Sequence, residues 1–325
     1  MAVAALLLPL PLSGCEGVQS ALLPSGREAL AIDPLFWLVT GISAAITGLV
    51  TLVTAIALWG PERWRAQLGR AWIVWGGGIV LPSVVLSVLL VYALLVLQAG
   101  STRSTEARGP GITVVGKRWW WEVVYDGADG EKIVSANEIR LPVGRPVPIR
   151  LESDNVIHSF WVPRLAGKLD MIPGRTNVLT LEATEPGTSR GQCAEYCGGA
   201  HALMSFYVVA MPPEDYEAWL RNEASPAREP QTEEQRRGKT LFLQNGCGAC
   251  HAIRGSDARG TIAPDLTHVG SRMSVAAAAL PNDAEAFARW ITDNQHIKPE
   301  NLMPAFNYLA PDDLAAMGAY LDSLD

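Results

Sequence analysis

Two long apolar runs interrupt an otherwise mixed chain. Leu35–Trp59 and Ala71–Leu97 contain no charged residue, and each exceeds the roughly 20 residues a helix needs to cross a hydrocarbon core. Between them, Pro61–Arg70 sets Arg63, Arg65 and Arg70 against Glu62, the basic excess that marks a cytoplasmic loop. The pattern predicts a transmembrane hairpin over 35–99 with both ends on the outer face, and Trp37, Trp59, Trp64 and Trp72 fall near its interfaces. Ahead of it, residues 1–14 are short, apolar and end in small residues, which reads as a signal peptide. Residues 15–34 form an N-terminal segment.

Past a polar linker at 100–110 the texture changes. Short β-branched and aromatic runs (Ile112–Val115, Trp119–Tyr125, Val147–Leu151, Val156–Val162, Val178–Leu181, Phe206–Val209) are separated by Pro, Gly and Asp. This spacing predicts an all-β sandwich or barrel over 108–212. Residues 213–231 hold a short helix, Glu214–Asn222, and a linker. Residues 232–325 read as a small all-α domain. Thr232 with Gln235 three residues on predicts a capping box for a helix to Gln244. Asp283–Thr292 and Pro311–Leu324 are two further helices, the last with Pro in its first turn.

Charge and cysteine usage narrow the function. Net charge is −7 over 325 residues. The acidic excess lies beyond the hairpin: eleven basic against fifteen acidic side chains in 111–225, and nine against thirteen in 226–325. Acidic soluble domains argue against nucleic acid as a partner and suit a basic protein donor. The five cysteines are Cys15, Cys193, Cys197, Cys247 and Cys250. An odd number with two tight pairs is not a disulfide framework.

The densest chemistry lies in Cys193-Ala-Glu195-Tyr-Cys197-Gly-Gly-Ala-His201-Ala-Leu-Met204. Thiolate, imidazole and thioether within one short loop suit copper. Zinc seldom recruits Met, and a Cys193–Cys197 disulfide is the other alternative. A second imidazole is required from a neighbouring strand. His158, in Val156-Ile-His-Ser-Phe-Trp-Val-Pro163, is the candidate.

These stretches, with Gly116–Tyr125 and the loop Lys168–Arg175, resemble cytochrome c oxidase subunit II. The resemblance covers the hairpin and the β-domain. It implies a cupredoxin-like fold carrying the dicopper centre CuA, with His158, Cys193, the Glu195 carbonyl, Cys197, His201 and Met204 as ligands. It also implies a Mg²⁺ on the Glu195 carboxylate at the contact with subunit I, and an electron-transfer role for Trp119. Two departures stand out: Asn155 follows Asp154 where members often carry an acidic residue, and the aromatic run reads Arg118-Trp119-Trp120-Trp121. Leu12-Ser13-Gly14-Cys15 resembles a bacterial lipobox, implying lipidation of Cys15, although no basic residue precedes it.

Cys247-Gly-Ala-Cys250-His251 is the haem c attachment signature. With the helix before it, Ala263-Pro264-Asp265-Leu266 after it and a C-terminal helix bearing Tyr320, the last part of the chain resembles a class I cytochrome c. That resemblance implies thioethers at Cys247 and Cys250, His251 as proximal ligand, Pro264 packed on the proximal side, and Gly238 and Phe242 against the last helix. Met303 is the candidate sixth ligand, with Met273 and Met317 as rivals. Arg272 and Trp290 are candidate propionate contacts.

Joined on one membrane-anchored chain, the two sites resemble a caa-type subunit II in the bacterial inner membrane, its soluble domains on the periplasmic face. Electrons would pass from cytochrome c or another external donor through haem c and CuA to subunit I, with subunit III as a further partner. The alternative is a free-standing membrane-tethered electron carrier.

Overall fold

The structure is a computed structural model and describes residues 16–106, 110–127 and 130–325. The expected signal segment and Cys15 lie outside the described residues. The chain divides into two compact units, Leu30–Glu106 and the remainder.

The first unit follows the apolar runs. Helix α1 spans Arg27–Trp59, α2 Glu62–Leu68, α3 Ala71–Trp75 and α4 Leu81–Glu106, with one π-helical turn, Gly76–Val80, joining α3 to α4. Arg27–Trp59 and Ala71–Ala99 are both long and apolar enough to cross a membrane, and the apolar window of each is 0% buried. An exposed apolar surface of this size marks a contact with a membrane or another protein. The helices overrun the expected 35–99. The N-terminal extension carries Glu28 in its first turn, where an acidic side chain favours the positive end of the helix dipole. At the other end α4 continues through the predicted linker to Glu106. A nucleated helix propagates cheaply, and Ser101–Glu106 holds no proline.

The second unit begins before α1. Ser25 N–H donates to the Arg164 carbonyl at 2.7 Å and Arg27 N–H to that of Glu182 at 2.9 Å, and Arg27 pairs with the Glu182 carboxylate at 2.6 Å. The N-terminal segment is thus stapled to the β-domain, a contact no sequence period announces.

Among the described residues, ten strands form that domain. The first sheet uses β1 (Ile112–Lys117), β2 (Trp120–Asp126), β3 (Lys132–Ala136), β5 (Val147–Ser153) and β8 (Asn177–Leu181). The second uses β4 (Glu138–Pro142), β6 (His158–Trp161), β7 (Leu169–Met171), β9 (Gly187–Cys193) and β10 (Ser205–Met211). Their orders are β3-β2-β1-β5-β8 and β4-β10-β9-β6-β7. Pairing is mixed: β1 runs parallel to β5 and β10 to β4, and the other neighbours are antiparallel. Trp121, Phe160 and Phe206 fill the space between the sheets, the phenylalanine rings stacked at 4.8 Å and the indole edge-on to both. The fold class is a cupredoxin-like sandwich.

Strands β3, β4, β7 and β9 were not among the six expected runs. The reason is plainest for β9, Gly-Thr-Ser-Arg-Gly-Gln-Cys, which has almost no apolar content. Its inward positions, Ser189, Gly191 and Cys193, are nonetheless buried. Small residues there accept the Phe206 ring from the adjoining strand, so β9 is a strand by pairing and not by propensity.

Helix α5 (Pro213–Ala224) leads into the helical domain of α6 (Glu233–Gln244), α7 (Ala284–Ile297) and α8 (Pro311–Asp322), with a two-stranded ribbon, β11 (Ser274–Val275) and β12 (Leu280–Pro281). The Thr232/Gln235 capping box is present. Gly238 lies against the Ala316 backbone, and Phe242 packs edge-on to Tyr320 at 6.1 Å. The helical domain is hydrogen-bonded to the sandwich: Arg254 donates to the Val134 carbonyl at 3.3 Å, Arg140 to the Ser271 carbonyl at 3.0 Å, and Met273 N–H to Glu138 at 2.7 Å.

One carboxylate ties strands together at one end of the first sheet. Asp126 takes Lys132 and Arg150 at 2.5 Å and Gly111 N–H at 3.0 Å. Burial raises its pKa, but these donors more than reverse that and hold it at about 2. A depressed carboxylate stabilises above its unfolded pKa, about 3.9, and loses that contribution as pH falls through the folded value. Asp126→Asn should therefore cost about 1 kcal/mol at pH 6. In thermal unfolding the gap to the parent should close between about pH 4 and pH 2.

Candidate metal centre and haem site

Strand pairing assembles the first site. Cys193 ends β9 and pairs across to Phe160 of β6, so His158, two residues before Phe160, reaches the same end of the sheet. The loop from Cys193 returns to β10 immediately after Met204. It is closed by Cys193 N–H donating to the Met204 carbonyl and tied to β6 by Ala194 N–H donating to Ser159 O, both 2.9 Å.

The donor atoms converge. Cys193 Sγ lies 3.7 Å from His158 Nδ1 and 3.7 Å from Cys197 Sγ. Cys197 Sγ lies 3.5 Å from His201 Nδ1 and 3.9 Å from Met204 Sδ. The Glu195 carbonyl is 3.2 Å from Cys193 Sγ. The ligand atoms of His158, Cys193 and Cys197 all fall within 4.8 Å of one another. A disulfide needs about 2.05 Å between sulfurs, so Cys193 and Cys197 are two free thiols. Two thiolates at about 2.3 Å from one ion, with a tetrahedral angle between them, sit about 3.8 Å apart. The pocket therefore fits sulfurs that share a soft cation.

Electrostatics agree. The Cys197 thiol, hydrogen-bonded to Cys193, pulls the Cys193 pKa down to about 3 against the effect of burial. Its attachment to Cys193 and its own burial push Cys197 up. The pair shares one proton, which a metal ion would displace.

Three supporting residues were not read from the sequence as functional. Asn155 Oδ1 lies 3.2 Å from His158 Nε2, so Nε2–H is the donor and Nδ1 is left facing Cys193. This is the orienting contact expected behind a ligating imidazole, made by an amide where an acid was anticipated nearby. Gly116 lies beneath the same ring: a Cβ there would meet His158 Cδ2 at 2.7 Å. Lys298, from the helical domain, donates to the Trp119 carbonyl at 2.6 Å. Trp119 itself is buried, at 5% exposure, and its Nε1–H donates to the Cys197 carbonyl at 3.0 Å.

The second site lies in the helical domain. Gly246 adopts φ 76°, after which Cys247–Ala249 turn as a 3-10 helix and present Cys247, Cys250 and His251 in one turn. His251 Nδ1 is 2.7 Å from the Pro264 carbonyl, so Nδ1–H donates and Nε2 remains free to ligate. Burial holds the imidazole below its usual pKa, which keeps it in the neutral form an iron ligand requires. Arg272 is buried, with its Nε lacking any partner, a cation suited to a haem carboxylate. Of the three methionines, Met317 is fully buried on the inner face of α8. Met273 is exposed and held at the sandwich by its N–H to Glu138. Met303 packs at the margin of the helical core, its N–H bonded to Asn301 and its carbonyl to Gln295.

Two families match the two domains that hold these residues. The family described as "Cytochrome C oxidase subunit II, periplasmic domain" matches residues 127–211, and "Cytochrome c" matches 235–325. A cytochrome c oxidase subunit 2 from Alkalihalophilus pseudofirmus is 40% identical over 214 residues, covering 66% of this chain. The chain is thus similar to cytochrome c oxidase subunit II over its sandwich and to cytochrome c over its helical domain. It spans 60% of that relative's length. The Bacillus subtilis subunit 2 is 29% identical over 262 residues, covering 75% of this chain and 72% of that protein. Among solved structures, the periplasmic domain of subunit II of cytochrome oxidase from Bradyrhizobium japonicum aligns at 27% identity with a TM-score of 0.34. It covers 36% of this chain and 96% of that one. Within the subunit II match lie His158 and the whole Cys193–Met204 loop. The cytochrome c match holds Cys247–His251 and Met303.

Gly116→Ala should tilt the His158 ring off Cys193 without touching a thiol. Metal titration of that variant should show uptake weakened about tenfold or more.

Proposed function

We propose that the chain is the electron-entry subunit of a membrane-bound haem–copper oxidase. The observation that carries this reading is the convergence of two thiols, two imidazoles and a thioether on the loop closed by β9 and β10, in the same compact unit as a haem-attachment turn. His158, Cys193, Cys197, His201, Met204 and the Glu195 carbonyl would hold the dicopper CuA centre, and Cys247, Cys250, His251 and Met303 a covalent haem c. When bound, these groups supply one-electron redox chemistry between an external donor and the oxygen-reducing subunit I.

The chain's own residues do the positioning. Paired strands hold the donors where a metal ion can take them without rearrangement, and Asn155 sets the His158 tautomer. The Pro264 carbonyl does the same for His251. Arg272 offers its unpaired Nε to a propionate. The exposed Glu195 carboxylate is available to a magnesium ion at the contact with subunit I, and subunit III completes the assembly. The basic α2 loop lies on the cytoplasmic side, so the soluble domains occupy the periplasmic face of the bacterial inner membrane. Cys15 anchors the mature N-terminus through lipid.

Metal analysis of the purified protein should give two coppers and one haem per chain, with the copper signal in electron paramagnetic resonance delocalised over both ions. A ratio of one copper or none contradicts the ligand assignment. Met303→Ala should abolish the low-spin His/Met haem spectrum, and an unchanged spectrum moves the role to another residue. Cys15→Ala should remove metabolic fatty-acid labelling. Purification from membranes without a haem–copper partner subunit would favour the free-standing carrier.

A further inference from the structure

Trp119 hydrogen-bonds directly to the metal-loop backbone at Cys197. In this chain its face is covered. Lys298, at the C-terminal end of α7, is 3% exposed and spends its ammonium on two backbone carbonyls, Trp119 O at 2.6 Å and Ala276 O at 3.0 Å. Burial pulls its pKa down to about 7. A lysine placed so far from water needs a structural reason.

The surroundings point to docking. Ala276, Ala277 and Ala278, in the turn between β11 and β12, all take positive φ, 57°, 60° and 63°. Non-glycine residues in that region persist only where neighbouring contacts over-determine them. Here Ala276 O receives Lys298, and Ala277 O receives the N–H of Ser205, the residue after Met204, at 3.2 Å. Two residues beyond Lys298, Glu300 lies over the metal loop itself: a Cβ on Gly199 would sit 2.5 Å from its carboxylate oxygen. The contact is made by the flexible end of the Glu300 side chain, which the bare Gly199 leaves room for. Met303 follows three residues later, so one short segment touches both sites.

We infer that Lys298 is a positioning residue: it seats the helical domain on the Trp119 face of the sandwich and so fixes the separation of the two redox sites. This rests on the function proposed above. The segment Lys298–Met303 is then a positioning element, holding the two redox sites at a fixed separation.

The test uses the full chain in detergent with copper and haem bound, as parent, Lys298→Met and Glu300→Gly. Hydrogen exchange at the Ser205 amide and across Lys117–Trp121 reads the seating. Flash-induced electron transfer from haem to copper reads the separation. Lys298→Met should keep both metal spectra, exchange at least tenfold faster at Ser205, and slow the internal transfer at least tenfold. Glu300→Gly should shift both readouts in the same direction by a smaller factor. Unchanged exchange in both variants overturns the proposal, as does faster exchange with an unchanged transfer rate. Absence of copper or haem from the parent defeats the functional reading instead, and the exchange arm still judges the seating.

Discussion

The antiparallel pairing of β9 with β10 is the constraint on which both the sandwich and its metal loop depend. It ends at Gln192 opposite Ser205 and is extended one step by Cys193 N–H to the Met204 carbonyl. The residues between must then turn back over the end of the sheet, which brings Cys197 and His201 above Cys193. Backbone hydrogen bonding thus does the work that attraction between donors cannot. Two buried thiols repel once ionised, and a loop without that closure would let them part.

The same pairing explains how a polar strand lies in the middle of a sheet. Strand β9 contributes little apolar surface of its own. It is held by neighbours on both sides, β10 and β6, and its small inward residues make room for Phe206. The aromatic cluster of Trp121, Phe160 and Phe206 then backs His158 from the protein interior; the Trp121 and His158 rings lie 6.2 Å apart. Core packing and ligand placement are one arrangement here, so a change that loosens the cluster also moves an imidazole.

The helical domain adds a second level of order. It is bonded to the sandwich through Arg140, Glu138 and Arg254 at the flank and through Lys298 beside Trp119. These contacts are almost all charged or polar side chains reaching backbone groups of the other domain. Such bonds are directional and leave few orientations open, whereas an apolar interface of similar size would tolerate sliding.

Much of this was legible in the chain itself. The hairpin is written in uncharged length, the α6 cap in Thr232 and Gln235, and the two sites in the tight spacing of Cys193–Met204 and Cys247–His251. Local spacing suffices there because each motif confines its donors to one turn or loop. Helix ends were less legible, since α1 runs through Pro34 and α4 continues into polar sequence that holds no proline. Strand β9 and the burial of Trp119 beneath Lys298 depend on residues far apart in sequence. Trp119 and Lys298 are separated by 179 positions. No local pattern encodes such a meeting; only the packed chain decides which carbonyl a buried ammonium will find.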